Sequence, residues 1–97
     1  MTLTEKINQW AISRGLDKTD SSKQLIKLQE EVGELSQAHL KDYPDKLRDS
    51  IGDIQVVLII YCLQNGIDYK QCLTDAYNVI ANREGRTVGG TFIKEGD

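Results

Sequence analysis

Apolar positions recur at helical spacing in four stretches of the chain. Ile7, Trp10 and Ala11 mark one face of a first segment from about Thr4 to Arg14, and Gly15 follows as a stop signal. Leu25, Leu28, Val32 and Leu35 mark a second, over residues 21–41, which Ser21 and Gln24 open at the spacing of a capping box. Asp42-Tyr43-Pro44 breaks that helix, and Pro44 suits the first turn of a third, over about 45–64. Leu47, Ile51, Ile54 and Leu58 form its first stripe; from Val56 to Tyr61 it is apolar all round. Asn65-Gly66 ends it, and Asp68 with Gln71 caps a fourth over about 68–84, carrying Leu73, Ala76, Tyr77 and Ile80. Residues 85–97 hold four glycines and read as a mobile tail around the island Thr91-Phe92-Ile93-Lys94.

This pattern predicts an all-α chain forming one domain over residues 1–97, a four-helix-type bundle with a glycine-rich C-terminal tail. A helix without a polar face is buried on all sides, and 97 residues can bury only a limited core. A second protomer is therefore expected to cover the third helix, completing the bundle as a dimer.

The polar positions carry the candidate chemistry. Glu30, Glu31 and Glu34 fall within an arc of about 100° on the second helix, at the edge of its apolar face. Asp49 and Asp53 stand one turn apart on the third. The first set lies about 10–14 residues before the break and the second about 5–9 after it, so antiparallel packing brings them to overlapping heights. Carboxylates facing one another across two helices form an all-oxygen metal site, which selects Mg²⁺ first and Mn²⁺ second. Such a Mg²⁺ keeps waters and shares its shell with substrate phosphates. Gly33 and Gly52, beside the acids, suggest a close approach of the two helices. Lys27 shares the side of Glu30 and Glu34, as a salt-bridge partner or a phosphate contact.

Bulk properties narrow the function. A net charge of −3 gives no electrostatic reason to bind nucleic acid or an anionic membrane, so an anionic substrate needs a local cation. Cys62 and Cys72 lack CxxC spacing and read as small buried hydrophobes in a reducing compartment. Met1 to Glu5 shows no basic region followed by an apolar run, and the longest apolar run, Val56 to Leu63, is less than half of the roughly 20 residues a membrane span needs. A cytoplasmic location is expected. His39 is the single histidine, so no Ser-His-Asp or Cys-His set competes with the acids, and it reads as a solvated helix residue. Trp10 is either a core or interface anchor or a platform for a base.

Glu30-Glu31-x-x-Glu34, a break, then Asp49-Ser50-Ile51-Gly52-Asp53 resembles the MazG-like, all-α nucleoside triphosphate pyrophosphohydrolases. The wider run from Gln24 through Lys27-Leu28 to Glu34-Leu35 is similar to that family's first motif, and Asn78-x-x-x-Asn82-Arg83 with Gly90-Thr91-Phe92-x-Lys94 resembles its C-terminal region. The resemblance implies a homodimer or homotetramer that hydrolyses nucleoside triphosphates to monophosphate and pyrophosphate with Mg²⁺. It departs at Ser50, where the family's second motif usually has a glutamate; Asp49 is the nearest acid that can replace it, and the Ser50 hydroxyl is a weaker candidate ligand.

On this reading Glu31, Glu34 and Asp53 hold Mg²⁺, with Asp49 and Glu30 completing or orienting the shell. Glu30 or Glu31 orients the attacking water. Lys27, Arg83, Arg86 and Lys94 are the cations available to phosphates, and Asn78 or Asn82 can bond sugar or base. A reading of another class is a non-catalytic helical dimer acting as a nucleotide-binding or protein-interaction module.

Overall fold

The computed structural model describes residues 1–96; Asp97, the end of the expected tail, lies outside the described residues. Helix α1 (Leu3–Ser13) leads through a short 3₁₀ turn (Leu16–Lys18) to α2 (Ser22–Leu40), α3 (Pro44–Gln64) and α4 (Tyr69–Ala81). An antiparallel hairpin of β1 (Gly85–Val88) and β2 (Thr91–Lys94) follows. The chain is mostly helical, roughly as the all-α expectation has it, with a small two-stranded hairpin where a mobile tail was expected.

Local chemistry sets the boundaries. Thr2 and Glu5 form a reciprocal capping box that starts α1 earlier than the apolar pattern indicates. Pro44 begins α3, and the Asp68 carboxylate accepts from the Gln71 amide at 3.1 Å to begin α4. The capping box at Ser21 does not form: Ser21 is itself helical, and its hydroxyl donates to Asn65 Oδ1 at 3.4 Å. Asp20 instead accepts from the Ser22 amide at 3.0 Å. The segment between α1 and α2 is thus partly the 3₁₀ turn, pinned to the end of α3 by Gln64 Nε2, which donates to the Leu16 carbonyl at 2.9 Å and to Thr19 Oγ1 at 3.0 Å.

The core lies where α1 and α2 meet α3. Ala11, Ala38, Val57, Ile59 and Ile60 are buried there with Ser50, and no residue from Val56 to Leu63 is exposed. The apolar run of α3 is therefore enclosed largely by its own chain. Bare apolar surface lies elsewhere. No residue of α4 is buried, and Leu73, Tyr77 and Ile80 are exposed. Leu25 and Val32 of α2 and Ile51 of α3 are also exposed, leaving the α2–α3 pair with an uncovered apolar surface.

The break between α3 and α4 turns the chain through 111°, which carries α4 and the hairpin away from the core. The radius of gyration is 16.4 Å, against about 12.5 Å for a compact domain of this length. Among the described residues no single helix is long and apolar enough to cross a membrane.

The hairpin turns on Gly89 and Gly90, whose φ angles of 59° and 81° give the paired left-handed geometry of a two-residue hairpin loop. It sets Val88 opposite Thr91 and Thr87 opposite Phe92. The Glu95 amide donates to the Glu84 carbonyl at 2.7 Å, closing the open end.

Candidate functional site

The antiparallel α2–α3 pair brings one carboxylate of the second helix against one of the third. Glu31 is half-buried, and its Oε2 is shut off from solvent without a hydrogen-bond partner. Burial pushes its carboxyl above the ordinary range, the charges of Glu34 and Asp53 push it further, and Lys27 opposes them. The Glu34 carboxyl also lies within hydrogen-bonding reach of Glu31. Glu31, Glu34, Asp53 and Lys27 therefore form one electrostatic group across the two helices.

Other predicted residues stand apart from it. Glu30 is exposed and contributes nothing to the shift at Glu31. Asp49 faces a cavity of about 880 Å³ between α1, α3 and the start of α4, which it shares with Arg48, Asp53, Gln55 and Tyr69. The Tyr69 hydroxyl donates to Gln55 Oε1 on that wall. A smaller cavity, about 250 Å³, is bounded by Lys27, Glu31 and Asp53 together with Trp10 and Gln24. Asp53 borders both spaces.

Ser50 is only 1% exposed and lines neither cavity, so its hydroxyl is unsuited to a hydrated ion. Gly33 and Gly52 are not explained by close helix contact either: a Cβ built on either one meets nothing within 4 Å. His39 is exposed, as expected. Cys72 is exposed and Cys62 half-buried, which corrects the reading of both as buried.

Asn78, Asn82, Arg83, Arg86 and Lys94 lie on the arm formed by α4 and the hairpin, and none borders the two cavities beside the acids. Asn82 Nδ2 donates to the Asn78 carbonyl at 3.0 Å, and α4 ends at Ala81, so Asn82 and Arg83 follow the helix rather than belonging to it.

Among the described residues, no three His, Cys, Asp or Glu side chains converge tightly enough to enclose a metal ion. What the described residues show is a desolvated carboxylate oxygen of Glu31 without a hydrogen-bond partner, whose charge is disfavoured by Glu34 and Asp53. Either a proton or a cation relieves that charge.

Sequence reasoning undervalued Gln24 as a wall of the site. It precedes Lys27 by three residues and Glu31 by seven, the spacing of one helix face, and that periodicity was its signal.

The chain is 48% identical, over 67 residues, to a protein of Haemophilus phage HP1 (strain HP1c1) described as an uncharacterized 18.2 kDa protein in the rep-hol intergenic region. The match takes in 68% of this chain and 41% of that protein, so this chain spans well under half of its phage relative. No family model and no solved structure matches the chain.

Proposed function

We propose that this chain is a Mg²⁺-dependent nucleoside triphosphate pyrophosphohydrolase of the MazG-like kind, releasing pyrophosphate and a nucleoside monophosphate. The observation that carries this reading is the Glu31 carboxylate, partly desolvated, with one oxygen lacking a hydrogen-bond partner, and set near Glu34 and Asp53 across two helices. Glu31, Glu34 and Asp53 would hold the ion, with Asp49 reached through the shared wall at Asp53. When bound, Mg²⁺ neutralises phosphate charge as it develops at the reacting centre. Lys27 supplies a second positive charge to the triphosphate. Glu31, through an oxygen that the ion leaves free, orients a water for attack at the α-phosphorus and takes its proton. The bond from that phosphorus to the bridging oxygen breaks, and pyrophosphate leaves. Glu30, outside the cluster, is the weaker choice for this role.

A dimer completes this reading. The accessible surface is 7449 Å², against about 5,600 Å² for a compact monomer of this mass. The surplus exceeds the roughly 800 Å² per partner that a standard interface buries. A second copy docked on α4 and on the bare α2–α3 surface would cover it. It would also bring Asn78, Asn82, Arg83 and Lys94 of one copy toward the acids of the other.

Purified protein supplied with Mg²⁺ and a panel of ribo- and deoxyribonucleoside triphosphates should release pyrophosphate, and Glu34→Gln or Asp53→Asn should abolish it. Orthophosphate as the only product would sink the α-attack. The burial of Ser50, where a fourth carboxylate ligand would complete the shell, favours a second reading, a non-catalytic nucleotide-binding dimer. Metal-dependent nucleotide binding without turnover of any substrate would select it.

A further inference from the structure

The joint between α3 and the arm holds two thiols. Cys62 lies in the last turn of α3, and Cys72 lies near the start of α4. Backbone bonds hold both in place: the Ile67 amide donates to the Cys62 carbonyl at 2.9 Å, and the Cys72 amide donates to the Asp68 carbonyl at 3.1 Å. The turn between them, with Gly66 left-handed at φ 65°, bends the chain through 111°. It brings the two side chains within hydrogen-bonding reach of each other. Both are free thiols; Cys72 is exposed and Cys62 half-buried. Little else ties the arm to α3: no residue of α4 is buried, and the Tyr69 hydroxyl donates to Gln55 Oε1.

An exposed thiol beside a shielded one is the arrangement in which oxidation of the first is resolved by the second. Burial pushes the Cys62 thiol up, and Cys72 and Asp68 add to the shift, so the accessible Cys72 is the first to meet an oxidant. We infer that Cys62 and Cys72 form a peroxide-responsive dithiol site, whose closure to a disulfide fixes the α4 arm against the end of α3. The Cys72 thiolate attacks one oxygen of hydrogen peroxide. An S–O bond forms, the O–O bond breaks, and the leaving hydroxide becomes water with the proton that the thiol released. The Cys62 sulfur then attacks the Cys72 sulfur. The S–S bond forms, the S–O bond breaks, and the departing hydroxide takes the Cys62 proton as a second water. The two sulfurs lose two electrons and the peroxide gains them. A thiol reductant reopens the bond. The site lies about two and a half turns beyond Asp53 along α3 and does not rest on the phosphate reading.

The full chain, reduced and then freed of reductant, is treated with hydrogen peroxide. Its intact mass should fall by two hydrogens, and peptide mapping should join Cys62 to Cys72. The cross-linked share should not change when the protein is diluted about tenfold at fixed peroxide, because the bond closes within one chain. Exchange of the Gly66 and Ile67 amides, which donate to the Leu63 and Cys62 carbonyls, should slow at least about tenfold and recover in dithiothreitol. Cys62→Ala removes the resolving thiol, so it should leave Cys72 as a sulfenic acid that dimedone traps, with exchange unchanged by peroxide. If Cys62→Ala fails to fold, Cys62→Ser takes its place. A Cys72 that stops at sulfenic or sulfinic acid in the unsubstituted chain, or that joins only to Cys72 of another copy, overturns the dithiol site. A Cys62–Cys72 bond with unchanged exchange overturns its hold on the arm.

Discussion

The α2–α3 pair and the arm made of α4 and the hairpin come from similar sequence: amphipathic helices, capped by local signals, with Leu, Ile and Val at helical spacing. Their fates differ. Joined by a tight break at Asp42-Tyr43-Pro44, α2 and α3 lie against each other and enclose Ala38, Ser50 and Val57. Helix α4 leaves α3 at 111° and buries none of its residues. The difference teaches that periodicity defines an apolar face without choosing what covers it. In the pair, the chain covers itself and sets Glu31 against Asp53. In the arm, Leu73, Tyr77, Ile80 and Phe92 remain available to another copy.

The strongest way to break the comparison is to make the arm polar. Leu73→Glu with Ile80→Glu removes two large apolar contacts, each worth about 1.5–3 kcal/mol when buried. Self-association should weaken by about 10²–10⁴-fold, read by sedimentation equilibrium, while helical content persists. A wild-type chain that is monomeric at high micromolar concentration would mean that the arm has no partner of its own kind.

Next in size are the acids of the pair. Glu31→Gln and Asp53→Asn should each lower turnover by at least about 100-fold, beyond the roughly 10–100-fold typical of groups that only support a ligand. Glu30→Gln and Asp49→Asn should cost less than about 10-fold. Equal losses at all four positions would erase the distinction between the cluster around Glu31 and its surroundings.

The pH dependence sharpens the same point. The Glu31 carboxyl is held above its ordinary value near 4.5, so between those two values the folded chain holds more protons than the unfolded one. Its contribution to stability therefore falls as pH rises through that window and stays low at neutral pH. Without metal, Glu31→Gln should raise Tm at pH 7 and leave it little changed at pH 4. A lower Tm at pH 7 would mean that the ionised carboxylate is stabilising.

Two glycines separate the regions by backbone alone. Gly33 has open space around it, so Gly33→Ala should stabilise by about 0.5–1 kcal/mol. A Cβ at Gly85 would collide with the Ile93 carbonyl and the Phe92 ring, so Gly85→Ala should open the hairpin while sparing the helices. Amide exchange at Glu95, which donates across the hairpin's open end, reads the second effect. The smallest contrast is between thiols. Cys72, exposed, should alkylate before Cys62, whose thiol is pushed up by burial and by the neighbouring Cys72 and Asp68; peptide mapping gives the order.

Much of the helical framework was legible because its signals are local. Pro44, Asp68 with Gln71, and the turns at Gly15 and Gly66 act within a few residues, and each works where the pattern placed it. The acids that meet across α2 and α3 were legible because helix rise and a short break fix relative height. The hairpin was equally local: Gly89-Gly90 between Arg86-Thr87-Val88 and Thr91-Phe92-Ile93 is a turn flanked by strand formers. Reading the glycines as flexibility hid it, although left-handed geometry also requires them.

Sequence by itself determined the helices, their order, and the pairing of an acidic turn on α2 with an aspartate on α3. Tertiary structure decided the rest. It sank Ser50 out of reach, put Asp49 on a separate cavity, and isolated an oxygen of Glu31 from every partner. It also swung Asn78, Arg83 and Lys94 onto an arm away from the acids they resemble partners for. The physical reason is that spacing sets angle and height along one helix, whereas desolvation and proximity depend on what the neighbouring helices cover.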